Sequence, residues 1–371
     1  MMKFLRRKSQ SMKSSPSTSE SCGVCLAPGD SVNHLDHLAP LSFILDIPLV
    51  VDSELLKNVV ETYYPQVKTH YLDHHAKILE YFAQNYEMLF VSSTNYRKDL
   101  TPLFEVVFRK KMGFWYCPHG HSDKSIESFE GQQFFFTYGP LMESRLKERG
   151  LLREGCYVRT GNYRLSFYEK HQAFYDDLVE KEIFSKFKQK QPTILYAPTW
   201  QDLESSSSFP DFGIQLPTQV PSGYNLIIKL HPWLMHYNPG YVVHLEERYH
   251  ASPNIVVLSQ YPLIYPILRR CDIYLGDCSS VGYDFLYYNR PMFFLDGSSW
   301  EKKERYSSYL RSCGTSIPPS SHHDIFSFIK TQRSCQEGLM KEREQVYEEA
   351  FGNAPSFEDI KGEVQDLLNQ L

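Results

Sequence analysis

Three short stretches carry residues whose types and spacing suit work on a phosphorylated ligand. The first is Cys117-Pro118-His119-Gly120-His121-Ser122-Asp123-Lys124, which follows an apolar run. Gly120 permits a tight turn that exposes His119, and an imidazole so placed is a reasonable general base because its unperturbed pKa lies near about 6.5. A surface-loop histidine without a role is the plainer reading of the same stretch. The second is Lys229-Leu230-His231-Pro232, directly after the apolar Asn-Leu-Ile-Ile. An imidazole there can donate to a phosphoryl oxygen and stabilise charge developing on a leaving diphosphate. Lys229 faces into or away from such a site, since neighbouring strand residues point to opposite sides. The third runs from Cys271 to Leu286, where a short apolar strand leads into Asp277, Ser279 and Ser280 and an amphipathic helix follows. Free N–H groups at a helix start, with two hydroxyls, make a receptor for phosphate. N-capping by either serine is the bland reading, and it can coexist with binding.

All three stretches fall at the C-terminal ends of predicted strands, where open α/β sheets build ligand sites. The first group of strands is expected at Leu41–Val51, Met88–Ser92, Gly113–Cys117, Phe134–Tyr138 and Tyr157–Thr160. Helical patterns over Asp73–Asn85 and Met142–Gly150 separate some of them, the latter closing on a glycine as a helix should. A lysine-rich helix, Phe174–Lys190, leads to a second group at Thr193–Ala197, Asn225–Leu230, Asn254–Leu258, Ile273–Leu275 and Met292–Leu295. Alternation of this kind implies parallel sheets covered on both faces. The acidic, serine-rich Asp202–Pro221 reads as an inserted loop, and Ser356–Leu371 as a serine-capped amphipathic helix that packs on a lobe. The expected division is a flexible, basic and Ser-rich tail over 1–32, with the first ordered region starting near Leu38. An N-terminal lobe over 33–170, a C-terminal nucleotide lobe over 171–345 and the packing helix over 346–371 follow.

Length and composition agree with two folded domains: the chain has 371 residues, 42% of them hydrophobic, with 26 Tyr and 24 Phe. A net charge of −5 argues against a general nucleic-acid binder. The longest apolar run is broken by Asp46 and Pro48 and is too short to span a bilayer. Eight cysteines without a secretory signal suit a reducing, cytoplasmic setting. Cys22, Cys25, His34 and His37 form a quartet of zinc-binding types, but their spacing is tighter than in common fingers, so no metal is expected.

The run DIYLGDCSSVGYDFLYYNRPMFFLD resembles the nucleotide-binding segment of the CDP-glycerol glycerophosphotransferases, the teichoic-acid primases and polymerases. CPHG with Lys124 after it, ILYAPTW at Ile194–Trp200 and KLHP at Lys229–Pro232 match in the same order, over roughly Met88 to Asp296. Gly161-Asn162-Tyr163-Arg164 matches a Gly-x-x-Arg element between the lobes, without that family's usual proline. The resemblance implies a GT-B glycosyltransferase-like α/β fold, two Rossmann-like lobes facing across a cleft. It also implies transfer of glycerol phosphate from a CDP-linked donor to an acceptor hydroxyl, without metal or cofactor. Carried over by position, His119 would be the base. His231, Ser279 and Ser280 would hold the diphosphate, Asp277 would order its loop, and Thr199 and Lys229 would lie on the donor side. Gly120, Lys124 and Arg164 are further candidates. The sequence departs from the family at His121, at Cys278 and after the last strand, where Asp296-Gly297-Ser298-Ser299 and Arg305-Tyr306 stand.

Acceptors in that family are lipid-linked, so the resemblance implies a cytoplasmic enzyme peripheral to the membrane. The basic N-terminus and the surface around Tyr71–Tyr86 are the contacts on offer. Two alternatives stand beside this reading: a nucleotide-sugar glycosyltransferase or UDP-sugar epimerase of the same fold, and a catalytically inert nucleotide-binding relative. Oligomeric state is not legible in the sequence.

Overall fold

In the computed structural model, residues 23–27, 29, 32–121, 126–200, 207–295 and 308–370 are described. The N-terminal lobe is built on β1 (Gly23–Ala27), β2 (Leu49–Val51), β3 (Thr69–Tyr71), β4 (Met88–Val91), β5 (Gly113–Tyr116), β6 (Phe134–Thr137) and β7 (Tyr157–Arg159). These form a seven-stranded sheet in the order β3-β2-β1-β4-β5-β6-β7, with all pairs parallel. The C-terminal lobe is built on β8 (Thr193–Ala197), β9 (Asn225–Lys229), β10 (Ile255–Leu258), β11 (Ile273–Gly276), β12 (Met292–Phe294) and β13 (Thr315–Ser316). Its parallel order is β10-β9-β8-β11-β12-β13. Each sheet reverses direction beside its first strand, the switch point at which doubly wound folds open a crevice.

The strands are apolar throughout because both faces are covered. Along β1, Val24 and Leu26 enter one core while Cys25 and Ala27 enter another on the opposite face. The same alternation in β8 sends Ile194 and Tyr196 to a core confined to the C-terminal lobe. Leu195 and Ala197 instead join Leu49, Trp115 and Phe136 of the first lobe in one continuous cluster. The lobes therefore share a core, and they meet over apolar side chains as well as across the cleft.

Two expectations near the N-terminus are corrected. The tail over 1–32 does not run to its expected end, because Gly23–Ala27 is a strand in the middle of the first sheet, between β2 and β4. The apolar run Leu41–Val51 is not one strand: its first half completes the helix Val32–Leu45 and only Leu49–Val51 is extended. That helix buries 11 of its 14 residues, so it shows no polar face, and periodicity cannot separate such a helix from a buried strand. The other expected strands match to within a residue or two at their ends. Within the expected loop after β8 lies a short helix, Phe209–Phe212.

The chain's last helices return to the first lobe. Helix Met340–Phe351 packs on helix Pro140–Glu148, and Gly139 makes the approach possible, since a Cβ there would stand 2.5 Å from the Ala350 carbonyl oxygen. Helix Phe357–Asn369 lies against Val32–Leu45 and begins with a capping box between Ser356 and Asp359.

Candidate active site

The three stretches meet between the lobes. His119 follows β5 and His231 follows β9. His119 lowers the tendency of His231 to protonate, as does His34 on the Val32–Leu45 helix. The His34 and His119 rings lie 5.2 Å apart, centroid to centroid. Solvent reaches the exposed His119 ring, yet protein crowds it enough to push its pKa below the ordinary value, partly offset by a hydrogen bond to the Ser92 backbone. A ring N–H donating to that carbonyl leaves the second nitrogen with a free lone pair, the form a general base requires.

His231 is the N-cap of helix Pro232–Tyr237, and its Nδ1 accepts from the Trp233 N–H at 3.2 Å. A neutral imidazole that accepts at Nδ1 carries its proton on Nε2, so the outward nitrogen is a donor. Burial, His119 and Lys229 together push the His231 pKa down to about 3, and His34 falls to about 3 for the same kind of reason. Lys229 points toward the same region, since its charge is felt by His231 and it is drawn to Asp36. Its pKa drops to about 8 through desolvation, which leaves it cationic at neutral pH. A site with one cation and several neutral donors suits an anionic ligand.

On the C-terminal lobe, β11 ends in the loop before helix Ser280–Phe285. Neither serine caps that helix through its side chain; the Ser279 hydroxyl lies 3.1 Å from the Tyr274 hydroxyl. Asp277 is buried and serves the loop itself: its carboxylate accepts from Thr199 N at 2.9 Å, Ser208 N at 2.8 Å and Ser208 Oγ at 3.0 Å. Thr199 is thus held to the serine loop through its backbone. Gly120 sits at φ +120°, and a Cβ there would come within 2.6 Å of the Ser280 Cβ.

Arg164 stands apart from the ligand-facing residues. Only 5% exposed, its guanidinium pairs with Asp36 on the first lobe and, at 3.1 Å, with Asp284 on the second. It also lies over the Tyr265 ring, 5.1 Å from the centroid, and Tyr265 donates to Asp284 at 2.6 Å. Burial raises the Asp284 pKa against the pull of Arg164. Arg164 therefore ties the lobes together, with no donor directed at the histidines.

Lys124 lies outside the described residues, as do Cys22 and the basic N-terminus. Of the zinc-type quartet, Cys25 is a core strand residue whose thiol is pushed up by burial, and His37 bonds Tyr138 at 2.9 Å. Among the described residues no group of His, Cys, Asp or Glu gathers as a metal site. Around Tyr71–Tyr86, Ile78, Phe82 and Tyr86 are buried while Tyr71 is exposed. Exposed aromatics also lie at Trp233, Tyr237 and Tyr241, and Trp200 stacks on Trp233 with ring centroids 5.5 Å apart. A cavity of about 650 Å³ between β7 and helix Phe357–Asn369 has no histidine in its lining. No described helix is long and apolar enough to cross a membrane.

His34 is the residue that sequence reasoning missed as a member of this cluster. It lies 85 positions before His119 in a segment read as lead-in, and only the packing of the Val32–Leu45 helix on β1 brings it to the cleft.

Residues 159–312 match the family described as CDP-Glycerol:Poly(glycerophosphate) glycerophosphotransferase. The teichoic acid glycerol-phosphate primase of Bacillus subtilis is 34% identical over 107 residues, 29% of this chain and 26% of that protein, so the match reaches about a quarter of the primase. Among solved structures, the wall teichoic acid polymerase TagF aligns with a TM-score of 0.67 at 13% identity, over 94% of this chain and 90% of TagF. The S. aureus MnaA structure with UDP aligns with a TM-score of 0.60 at 15% identity, over 94% of this chain and 97% of MnaA. The two-lobed, GT-B-type fold expected from the sequence is the fold of these proteins.

Proposed function

We propose that this chain, a relative of the CDP-glycerol glycerophosphotransferases through residues 159–312, moves glycerol phosphate from a CDP-linked donor to an acceptor hydroxyl. The observation that carries the reading is the proximity of His119 to His231, the first with a lone pair left free by its bond to the Ser92 backbone and the second with its Nδ1 occupied by the Trp233 N–H and its proton on Nε2. His119 takes the acceptor proton. The acceptor oxygen bonds to the phosphorus that carries glycerol, the P–O–P bridge breaks, and CMP leaves with the bridging oxygen's electron pair. His231 Nε2–H and the Lys229 ammonium offset charge on the phosphoryl oxygens, where preorganised donors contribute most. Ser279 and Ser280 supply hydroxyls at the start of their helix, on a loop braced by Asp277 through Thr199 and Ser208. The residues needed for these roles are side chains and backbone groups alone, so the reaction as written uses no metal or cofactor. The acceptor is lipid-linked in this reading, and the chain works at the cytoplasmic membrane surface.

The test combines binding and turnover. Purified chain is titrated by calorimetry with CDP-glycerol, CDP, UDP and a UDP-sugar, and CMP release is followed for wild type and His119→Ala. Cytidine preference, with turnover lost and CDP affinity kept in His119→Ala, supports the proposal. Preference for uridine ligands moves the function to sugar transfer or epimerisation on the same fold. Binding without turnover on any acceptor indicates an inert relative, and full activity in His119→Ala removes the base.

A further inference from the structure

Polar groups converge on one buried hydroxyl, that of Tyr138, and two of them flank His119. Tyr138 is 1% exposed, directly after β6. Its hydroxyl donates to the Pro118 carbonyl at 2.9 Å and accepts from the Gly120 N–H at 3.2 Å. The third partner is His37 Nδ1 at 2.9 Å. A phenol has one hydrogen to donate and two lone pairs. With the hydrogen spent on Pro118, His37 must donate, so His37 carries its proton on Nδ1. All three capacities of the hydroxyl are then used, and the backbone on both sides of His119 hangs from a single atom.

We infer that Tyr138 is a positioning residue for the base, holding the Pro118–Gly120 loop so that the His119 ring meets both the Ser92 carbonyl and the acceptor. The inference rests on the role of His119 proposed above. The clamp has its own footing. Tyr163 donates to the His37 carbonyl at 3.2 Å, and the neighbouring Asp36 is held by Arg164 and by the Tyr64 hydroxyl at 3.2 Å. Arg164 reaches on to Asp284, in the helix whose first residue, Ser280, abuts Gly120. The contacts thus close into a ring: loop, Tyr138, the Val32–Leu45 helix, Arg164, the Ser280–Phe285 helix, and the loop again. A loop held only by its own turn can tilt by an ångström, and displacement on that scale can cost about a hundredfold in rate.

Tyr138→Phe removes the hydroxyl and keeps the ring, so the packing of Tyr163 and Phe351 against it is retained. The expected result is a kcat at least tenfold below wild type with the CDP dissociation constant within twofold. Tyr175→Phe is the control: that tyrosine is equally buried, but its hydroxyl has no partner among the described residues, and kcat should not move. Should Tyr138→Phe fold poorly, His37→Gln tests the same atom from its other side, with a smaller loss of kcat. Where both variants fold, the double variant should be no slower than Tyr138→Phe alone, because both act through one hydroxyl. Wild-type kcat in a folded Tyr138→Phe, while His119→Ala is inactive, overturns the positioning role and leaves the base in place. An active His119→Ala overturns the base and the positioning role together. A parallel loss of kcat and CDP affinity in Tyr138→Phe shows a general structural role instead.

Discussion

Gly120 and Ser280, 160 positions apart and on opposite lobes, are in contact: a Cβ on Gly120 would lie 2.6 Å from the Ser280 Cβ and 2.8 Å from its Oγ. The loop that carries His119 and the loop that carries Ser279 and Ser280 therefore share a boundary. The spacing of these two loops is set by this contact and by the Arg164 tie between the lobes behind it.

Gly120→Ala meets two obstacles at once, a crowded Cβ position and a φ of +120° that side-chain-bearing residues avoid. Strain of this kind costs about 1–3 kcal/mol. Denaturant unfolding should show a loss in that range, and turnover should fall further than CDP affinity. An unchanged midpoint and rate would mean that the lobes separate easily at this point.

Arg164→Met leaves Asp36 and Asp284 facing each other without their cation. Breaking a buried pair by removing one partner typically costs about 3–5 kcal/mol. Arg164→Lys should recover little, because an ammonium cannot span two carboxylates with a planar fork. Thermal unfolding of both variants checks this, and near-wild-type stability in Arg164→Met would refute the tie between lobes.

His121 makes the chain sensitive to acid. It is fully buried, neither ring nitrogen has a partner among the described residues, and burial with the nearby Arg145 charge pushes its pKa down to about 3. The unfolded chain binds a proton there below about 6.5 while the native chain does not. Stability therefore falls as pH falls from about 6.5 toward the folded value, by up to about 1.4 kcal/mol per pH unit for this one group. His121→Phe, placed among Tyr138, Tyr283 and Phe351, should be less sensitive to acid than wild type over that window. Identical pH dependence of unfolding in the two proteins would show that His121 titrates normally.

Ser279→Ala combined with Ser280→Ala removes two hydroxyls but leaves the helix start and the Asp277 brace. Because neither hydroxyl caps the helix, folding should be little affected. Calorimetry should find CDP-glycerol binding weaker by roughly tenfold, about 1.4 kcal/mol. Unaltered affinity would move the diphosphate away from this loop.

Much of this architecture was legible in the amino-acid order. Strands such as Thr193–Ala197 stood out because a sheet covered on both faces demands unbroken apolar runs. His119, His231 and the serine pair stood out because each follows such a run, where a parallel sheet must place its ligand. Local chemistry alone also specified the turn at Gly120 and the capped helix that begins at Ser356.

Other features were decided by packing. Gly23–Ala27 reads as part of a Ser-rich lead-in, and it is a central strand only because β2 and β4 pair with it on either side. The Val32–Leu45 helix has no polar face to announce it, since its surroundings are apolar on nearly every side. Arg164, a further candidate in the sequence, is held between two aspartates from different lobes that only packing brings together. His34 and Tyr138 carry no motif, because their relation to His119 exists only in space. The sequence by itself determined which residues could do chemistry, since residue type and strand-end placement are local properties. Which of them meet, which hold the others still and which are sealed inside was decided by the tertiary structure, because burial and pairing depend on segments far apart in the chain.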